Sequence, residues 1–113
     1  MASTEKKIEE YLRQKIKKLG GIAYKFTSPA YRSVPDRLVV LPTGLIYFVE
    51  VKAPMGKLTA GQKRELTKLR NLGCDAVTVW NKKDVDNLIA KLYRSIQFRK
   101  EQQNDSQQIK SQP

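Results

Sequence analysis

Thirteen residues separate Asp36 from Glu50, and Thr43 lies midway between them in Pro42-Thr43-Gly44. The flanking runs, DRLVVL (36–41) and LIYFVEVKA (45–53), are β-rich. A three-residue link containing glycine joins such runs as a hairpin. With Thr43 at the tip, Asp36 and Glu50 face each other across the strands, their Cβ atoms about 4.5–5.5 Å apart. Two carboxylates that close repel, and one or both keep a proton unless a cation sits between them. A divalent ion that prefers oxygen ligands, Mg²⁺ or Mn²⁺, resolves the conflict, and the backbone carbonyl of Val51 offers it a further ligand. Lys52 lies two residues beyond Glu50 and so on the same strand face, while Val49 and Val51 point the other way into a core. An ammonium beside such a pair can orient an attacking water or offset charge on a phosphate under attack. Burying these charges in an otherwise apolar strand is costly without a partner.

Composition narrows the chemistry further. The chain has no histidine and one cysteine, Cys74. Histidine acid–base catalysis is excluded, and a zinc site, which needs several nitrogen or sulfur ligands, nearly so. A lone cysteine forms no internal disulfide, which fits a reducing compartment. Lys and Arg outnumber Asp and Glu by 22 to 11, a formal net charge of +11, and an excess that large in a small domain suggests a polyanionic partner. No apolar run approaches membrane-spanning length, and the charged start MASTEKKIEE lacks a secretory leader's apolar stretch. A cytoplasmic location is expected, that of the host cell if the source is viral.

The elements that must hold this set can be read from periodicity. Residues 4–19 predict a helix with Thr4 as N-cap, Gly20-Gly21 as stop, and Ile8, Tyr11, Leu12, Ile16 and Leu19 as one apolar stripe. IAYKFT (22–27) alternates like a strand, and SPAYRSVP is a loop. The two hairpin strands are apolar on both faces, as in the middle of a sheet covered on both sides. After the loop PMGK, Thr59 caps a helix over 60–72 ended by Gly73. CDAVTVW is a buried strand, reached by a helical crossover that favours parallel pairing. A helix over 82–96 closes a single domain, residues 1–97. The polar, glutamine-rich remainder, 98–113, predicts a disordered tail. The fold class is α/β, a mixed sheet flanked by helices in the order α-β-β-β-α-β-α.

Pro35-Asp36, thirteen intervening residues and then Glu50-Val51-Lys52 resemble the signature of the PD-(D/E)XK (restriction-endonuclease-like) nuclease superfamily. The longer runs KFTSPAYRSVPDRLVVLP and GLIYFVEVKAPMGKLTAGQ resemble its VRR-NUC (virus-type replication-repair nuclease) family, over about residues 5–90. The resemblance implies a Mg²⁺- or Mn²⁺-dependent deoxyribonuclease with Asp36, Glu50 and the Val51 carbonyl on the metal and Lys52 positioning the nucleophile. It also implies an acidic residue on the first helix, completing the metal shell directly or through water. Glu5 and Glu9 compete for that place, and Glu5 is favoured because it falls inside the apolar stripe, where a charge asks for a reason. Gln62 matches the family's glutamine, whose amide could hold a water or a phosphate. Lys25, Arg32, Arg37, Lys57, Lys63 and Arg64, in or beside the flanking loops, are candidates for phosphate contacts, and Tyr24, Phe26 and Tyr31 for stacking on unpaired bases.

Minimal members of the family look like junction-cutting enzymes, similar to archaeal Holliday-junction resolvases with roles in DNA repair. Two symmetric incisions suit a C₂ homodimer. Flap or single-strand cutting is an alternative, and a non-catalytic DNA-binding module on the same scaffold is another. The intact acidic set argues against the latter, since a pure binder gains nothing from carboxylates facing phosphate. A subunit directed by another protein is a third.

Overall fold

Periodicity becomes architecture in a computed structural model that describes residues 3–111, with side chains through residue 105. Helix α1 spans Thr4–Lys18 and strands β1 and β2 span Ile22–Lys25 and Arg37–Val40. A 3₁₀ turn, Pro42–Gly44, leads to β3, Ile46–Val51. Helix α2 (Ala60–Asn71), strand β4 (Asp75–Val79) and helix α3 (Lys82–Ser111) complete the order α-β-β-β-α-β-α. The four strands form one sheet in chain order, with β1–β2 and β2–β3 antiparallel and β3–β4 parallel.

The register of β2 on β3 is the one that centring on Thr43 predicts: Arg37 pairs with Val49, Leu38 with Phe48, Val39 with Tyr47 and Val40 with Ile46. Strand parity then assigns the faces. Val39, Tyr47, Val49 and Val51 pack in one core with Ile8, Leu12 and Ile16 of α1 and with Val85, Leu88, Leu92 and Ile96 of α3. The opposite face, carrying Phe48 and Glu50, is covered by α2, whose Leu66 is buried. Both faces of the central strands are therefore dry, which is why they read as continuous apolar runs.

Two expectations need correction. The N-cap of α1 is Ser3, whose side chain accepts the Lys6 N–H, and Thr4 is already helical. Either hydroxyl could serve, and the one whose backbone is extended takes the role. The second correction concerns α3, which does not stop near residue 96 but runs to Ser111. Residues 97–111 contain neither glycine nor proline and are rich in Gln, Lys and Arg, which lose little on becoming helical. The expected disordered tail from 98 is helical through Ser111, and its last two residues lie outside the described ones.

The extension is tied back to the hairpin. Thr43 sits at φ 73°, a left-handed conformation costly for a β-branched residue. Arg99 Nε donates to Thr43 Oγ1 at 2.9 Å and Arg99 Nη2 to the Thr43 carbonyl at 3.0 Å. These bonds anchor the strained tip about which the register is set.

Candidate active site

Asp36 and Glu50 lie one step beyond the last β2–β3 pair. The Asp36 carbonyl accepts the Phe26 N–H at 2.8 Å, and its carboxylate Oδ2 accepts the Val51 N–H at 2.8 Å. Both neighbouring strands thus fix Asp36. Glu50 is only 2 % exposed. Its Oε1 accepts from Gln62 Nε2 at 3.3 Å, while Oε2 is buried without a hydrogen-bond partner. Burial foremost, and then the adjacent Asp36 carboxyl, pushes the Glu50 pKa up to about 8; the Lys52 charge opposes that rise and the Glu5 charge adds to it. Burial beside Asp36 thus favours the protonated form of Glu50 at neutral pH.

Gln62 is oriented by the start of its own helix. Thr59 Oγ1 accepts the Gln62 N–H at 3.1 Å, and Gln62 Oε1 accepts the Thr59 N–H at 2.9 Å, a reciprocal capping box. The amide oxygen is consumed by the cap, so only its NH₂ can face the carboxylates. Gln62 is a donor here, suited to a carboxylate, a water or a phosphate oxygen. Thr59→Ala should lower stability by about 1 kcal/mol, the usual worth of such a cap, measured as a lower urea midpoint with unchanged slope.

A divalent cation is the group this fold implies, and the residues fit it. A buried carboxyl oxygen without a donor is what a cation would satisfy. Paired carboxylates and a carbonyl are the ligands that Mg²⁺ or Mn²⁺ prefers. An extended residue turns its N–H and C=O to the same edge; because the Val51 N–H meets Asp36, the Val51 carbonyl faces that side too. Among the described residues no three acidic or cysteine side chains converge on one point, so the groups that would hold a cation here are Asp36, Glu50 and this carbonyl.

Of the two helix glutamates, Glu9 is committed elsewhere: its Oε1 lies 2.7 Å from both Nε and Nη2 of Arg37. Glu5, half-buried, is the one whose charge acts on Glu50. It stands near the pair without joining it as a third converging carboxylate.

Two of the expected phosphate contacts are not brought to the site. Arg37 pairs with Val49 on the α1 face, where Glu9 and the Ala23 carbonyl hold it with its side chain 15 % exposed. Lys25 shares that face through its pairing with Arg37. Arg37 lies one step from Asp36 along the same run and so on the opposite face, a signal present in the sequence. Arg32, Lys57, Lys63 and Arg64 are exposed, and Arg32 and Arg64 line one groove with Tyr31, Ser33 and Lys68. Lys68, one helical turn beyond Arg64, was discoverable from that spacing. A wider but open hollow of about 640 Å³ along α2, from Lys63 to Leu72, touches none of the carboxylates. Of the aromatics, Tyr24 is exposed on the edge strand β1, Phe26 packs against Phe48 with ring centroids 5.8 Å apart, and Tyr31 is exposed under the Lys68 ammonium.

No family model matches the chain. Its sequence is 49% identical over 85 residues to "Putative nuclease p44" of Acyrthosiphon pisum secondary endosymbiont phage 1, a match spanning 75% of this chain and 90% of that protein. Its fold matches a solved VRR-NUC domain with a TM-score of 0.75 and 36% identity, covering 79% of this chain and 97% of that one.

Proposed function

The chain belongs to the VRR-NUC family and is a nuclease, and from that premise we propose that it is a Mg²⁺- or Mn²⁺-dependent endonuclease that hydrolyses DNA phosphodiester bonds. The observation that carries this reading is the buried, unpartnered Glu50 oxygen beside Asp36, on the strand face that Lys52 shares. Asp36, Glu50 and the Val51 carbonyl would hold the cation, with the nearby Glu5 charge assisting. When bound, the cation supplies Lewis acidity at the phosphate and makes water a better nucleophile at neutral pH. Glu50, whose protonated form burial favours, would have to lose that proton to serve as a ligand. Lys52 orients the attacking water and offsets the charge that builds on the phosphate, and the Gln62 NH₂ adds a second donor. Water attacks phosphorus and loses one proton to solvent, the P–O bond to the leaving sugar oxygen breaks, and that oxygen takes a proton from solvent. No covalent enzyme intermediate is involved.

The substrate under this proposal is branched DNA, above all a four-way junction cut by a homodimer, since symmetric incisions match a two-fold interface. Arg32, Lys57, Lys63 and Arg64 supply phosphate contacts that position the DNA without reading it. The test uses labelled junction, flap, duplex and single-stranded DNA with Mg²⁺, Mn²⁺ or EDTA. Symmetric, metal-dependent cuts confined to the junction are expected. Cutting of flaps or single strands alone would discard the junction, and binding without cutting under either metal would overturn the enzyme reading for DNA. No described helix is long and apolar enough to cross a membrane.

A further inference from the structure

The sheet face that carries Glu50 also carries a hollow not used by the chemistry above. Its volume is about 330 Å³, and Phe26, Pro29, Tyr31, Val34, Phe48 and Leu69 give it a mainly apolar wall. That size is at the small end of the roughly 300–1,000 Å³ typical of ligand sites. The hollow adjoins the carboxylates: Phe48 precedes Glu50 by two residues on the same face, a separation of about 7 Å along a strand. It also adjoins the cationic groove, because Tyr31, Glu65 and Lys68 line both. Tyr31 is 56% exposed, and the Lys68 ammonium lies over its ring, 4.8 Å from the centroid.

An aromatic, apolar recess with a cationic groove at its mouth has a specific complement, a flat apolar ring on an anionic backbone. We infer that this hollow receives one unpaired nucleobase beside the scissile phosphate, stacked on Tyr31 and the Phe26–Phe48 pair while Arg32, Arg64 and Lys68 hold the adjoining phosphates. The inference rests on the nuclease reading for its place beside the cut. It names the substrate class as DNA with an unstacked nucleotide at the cleavage position, not continuous duplex. A base in full duplex must first be unstacked and unpaired at a cost in free energy, whereas branch points and bulges present one already released. Charge complementarity favours this occupant over an apolar peptide, which would leave three cations facing nothing.

The experiment measures affinity in EDTA, so that it does not depend on cleavage. The probes are a duplex with one bulged adenine, the same duplex with a bulged abasic residue, and the fully paired duplex. The bulged adenine should bind about tenfold more tightly than the abasic probe, within the range of base–aromatic stacking. Tyr31→Ala, a surface change, should erase that preference. Lys68→Ala should weaken all three and flatten the salt dependence. Equal affinity for adenine and abasic bulges, or a preference that survives Tyr31→Ala, would overturn the inference. Cleavage abolished by Lys52→Ala without any base preference sinks the base site and leaves the nuclease. A base preference without cleavage under any metal does the reverse.

Discussion

Lys52→Ala is expected to slow DNA cleavage by at least about a hundredfold, the usual worth of one donor aimed at developing transition-state charge, while DNA affinity in EDTA stays unchanged. Lys52 lies on the carboxylate face and not in the groove of Arg32, Arg64 and Lys68, so its loss removes chemistry without removing grip. Asp36→Asn should behave alike. Its side-chain oxygen can still accept the Val51 N–H that Asp36 takes at 2.8 Å, so the strand ends keep their place while one charge is gone. Single-turnover rates beside equilibrium binding separate the two effects. Full activity in either variant would dismantle the mechanism.

The second large effect concerns stability. Glu50 is held near a pKa of about 8 against an ordinary 4.5, first by burial and then by Asp36. The sign follows from linkage. Below pH 4.5 the carboxyl is protonated in folded and unfolded chains alike, and the contribution is fully present. Between 4.5 and 8 only the unfolded chain releases the proton, so folding stability falls as pH rises. Above about 8 the loss is complete. Its upper bound is on the order of 5 kcal/mol, since each pKa unit is worth about 1.4 kcal/mol. Urea unfolding in EDTA at pH 5, 7 and 9 should show the decline, and Glu50→Gln should flatten it while abolishing cleavage. Mg²⁺ or Mn²⁺ should restore stability to the native protein at high pH and do little for the variant. A flat profile for the native protein would mean that Glu50 is ionised without help.

Much of this site was legible because strand parity and a symmetric hairpin leave few choices. Centring on Thr43 fixed which carboxylate meets which, and alternation put Lys52 beside them. The same parity, applied to Arg37, would have sent it to the α1 face; proximity in sequence to Asp36 concealed it. The spacing Thr59-x-x-Gln62 is a capping-box signature, enough to foresee a helix start but not that the same amide would reach Glu50 across two elements. Helical phase set Glu5 apart from Glu9 as a candidate, and Glu9 lies in an ion pair with Arg37. The base-sized hollow was beyond reach, because it depends on how the loop of Pro29, Tyr31 and Val34 folds over Phe48, and loops carry no periodicity. The length of α3 was misjudged by equating polarity with disorder, although no helix breaker follows Ile96.

The reach of α3 past its last buried contacts changes how the molecule moves through a solvent. The chain measures 58 × 29 × 21 Å, with a radius of gyration of 16.0 Å. A compact chain of this length would have about 13 Å. Such a rod-extended particle drags more water and tumbles more slowly than its mass implies, so a monomer would leave a gel-filtration column early, in the place of a rounder, heavier body. The proposed homodimer is therefore to be sought by weighing the particle, through light scattering or native mass spectrometry, and not by timing its passage.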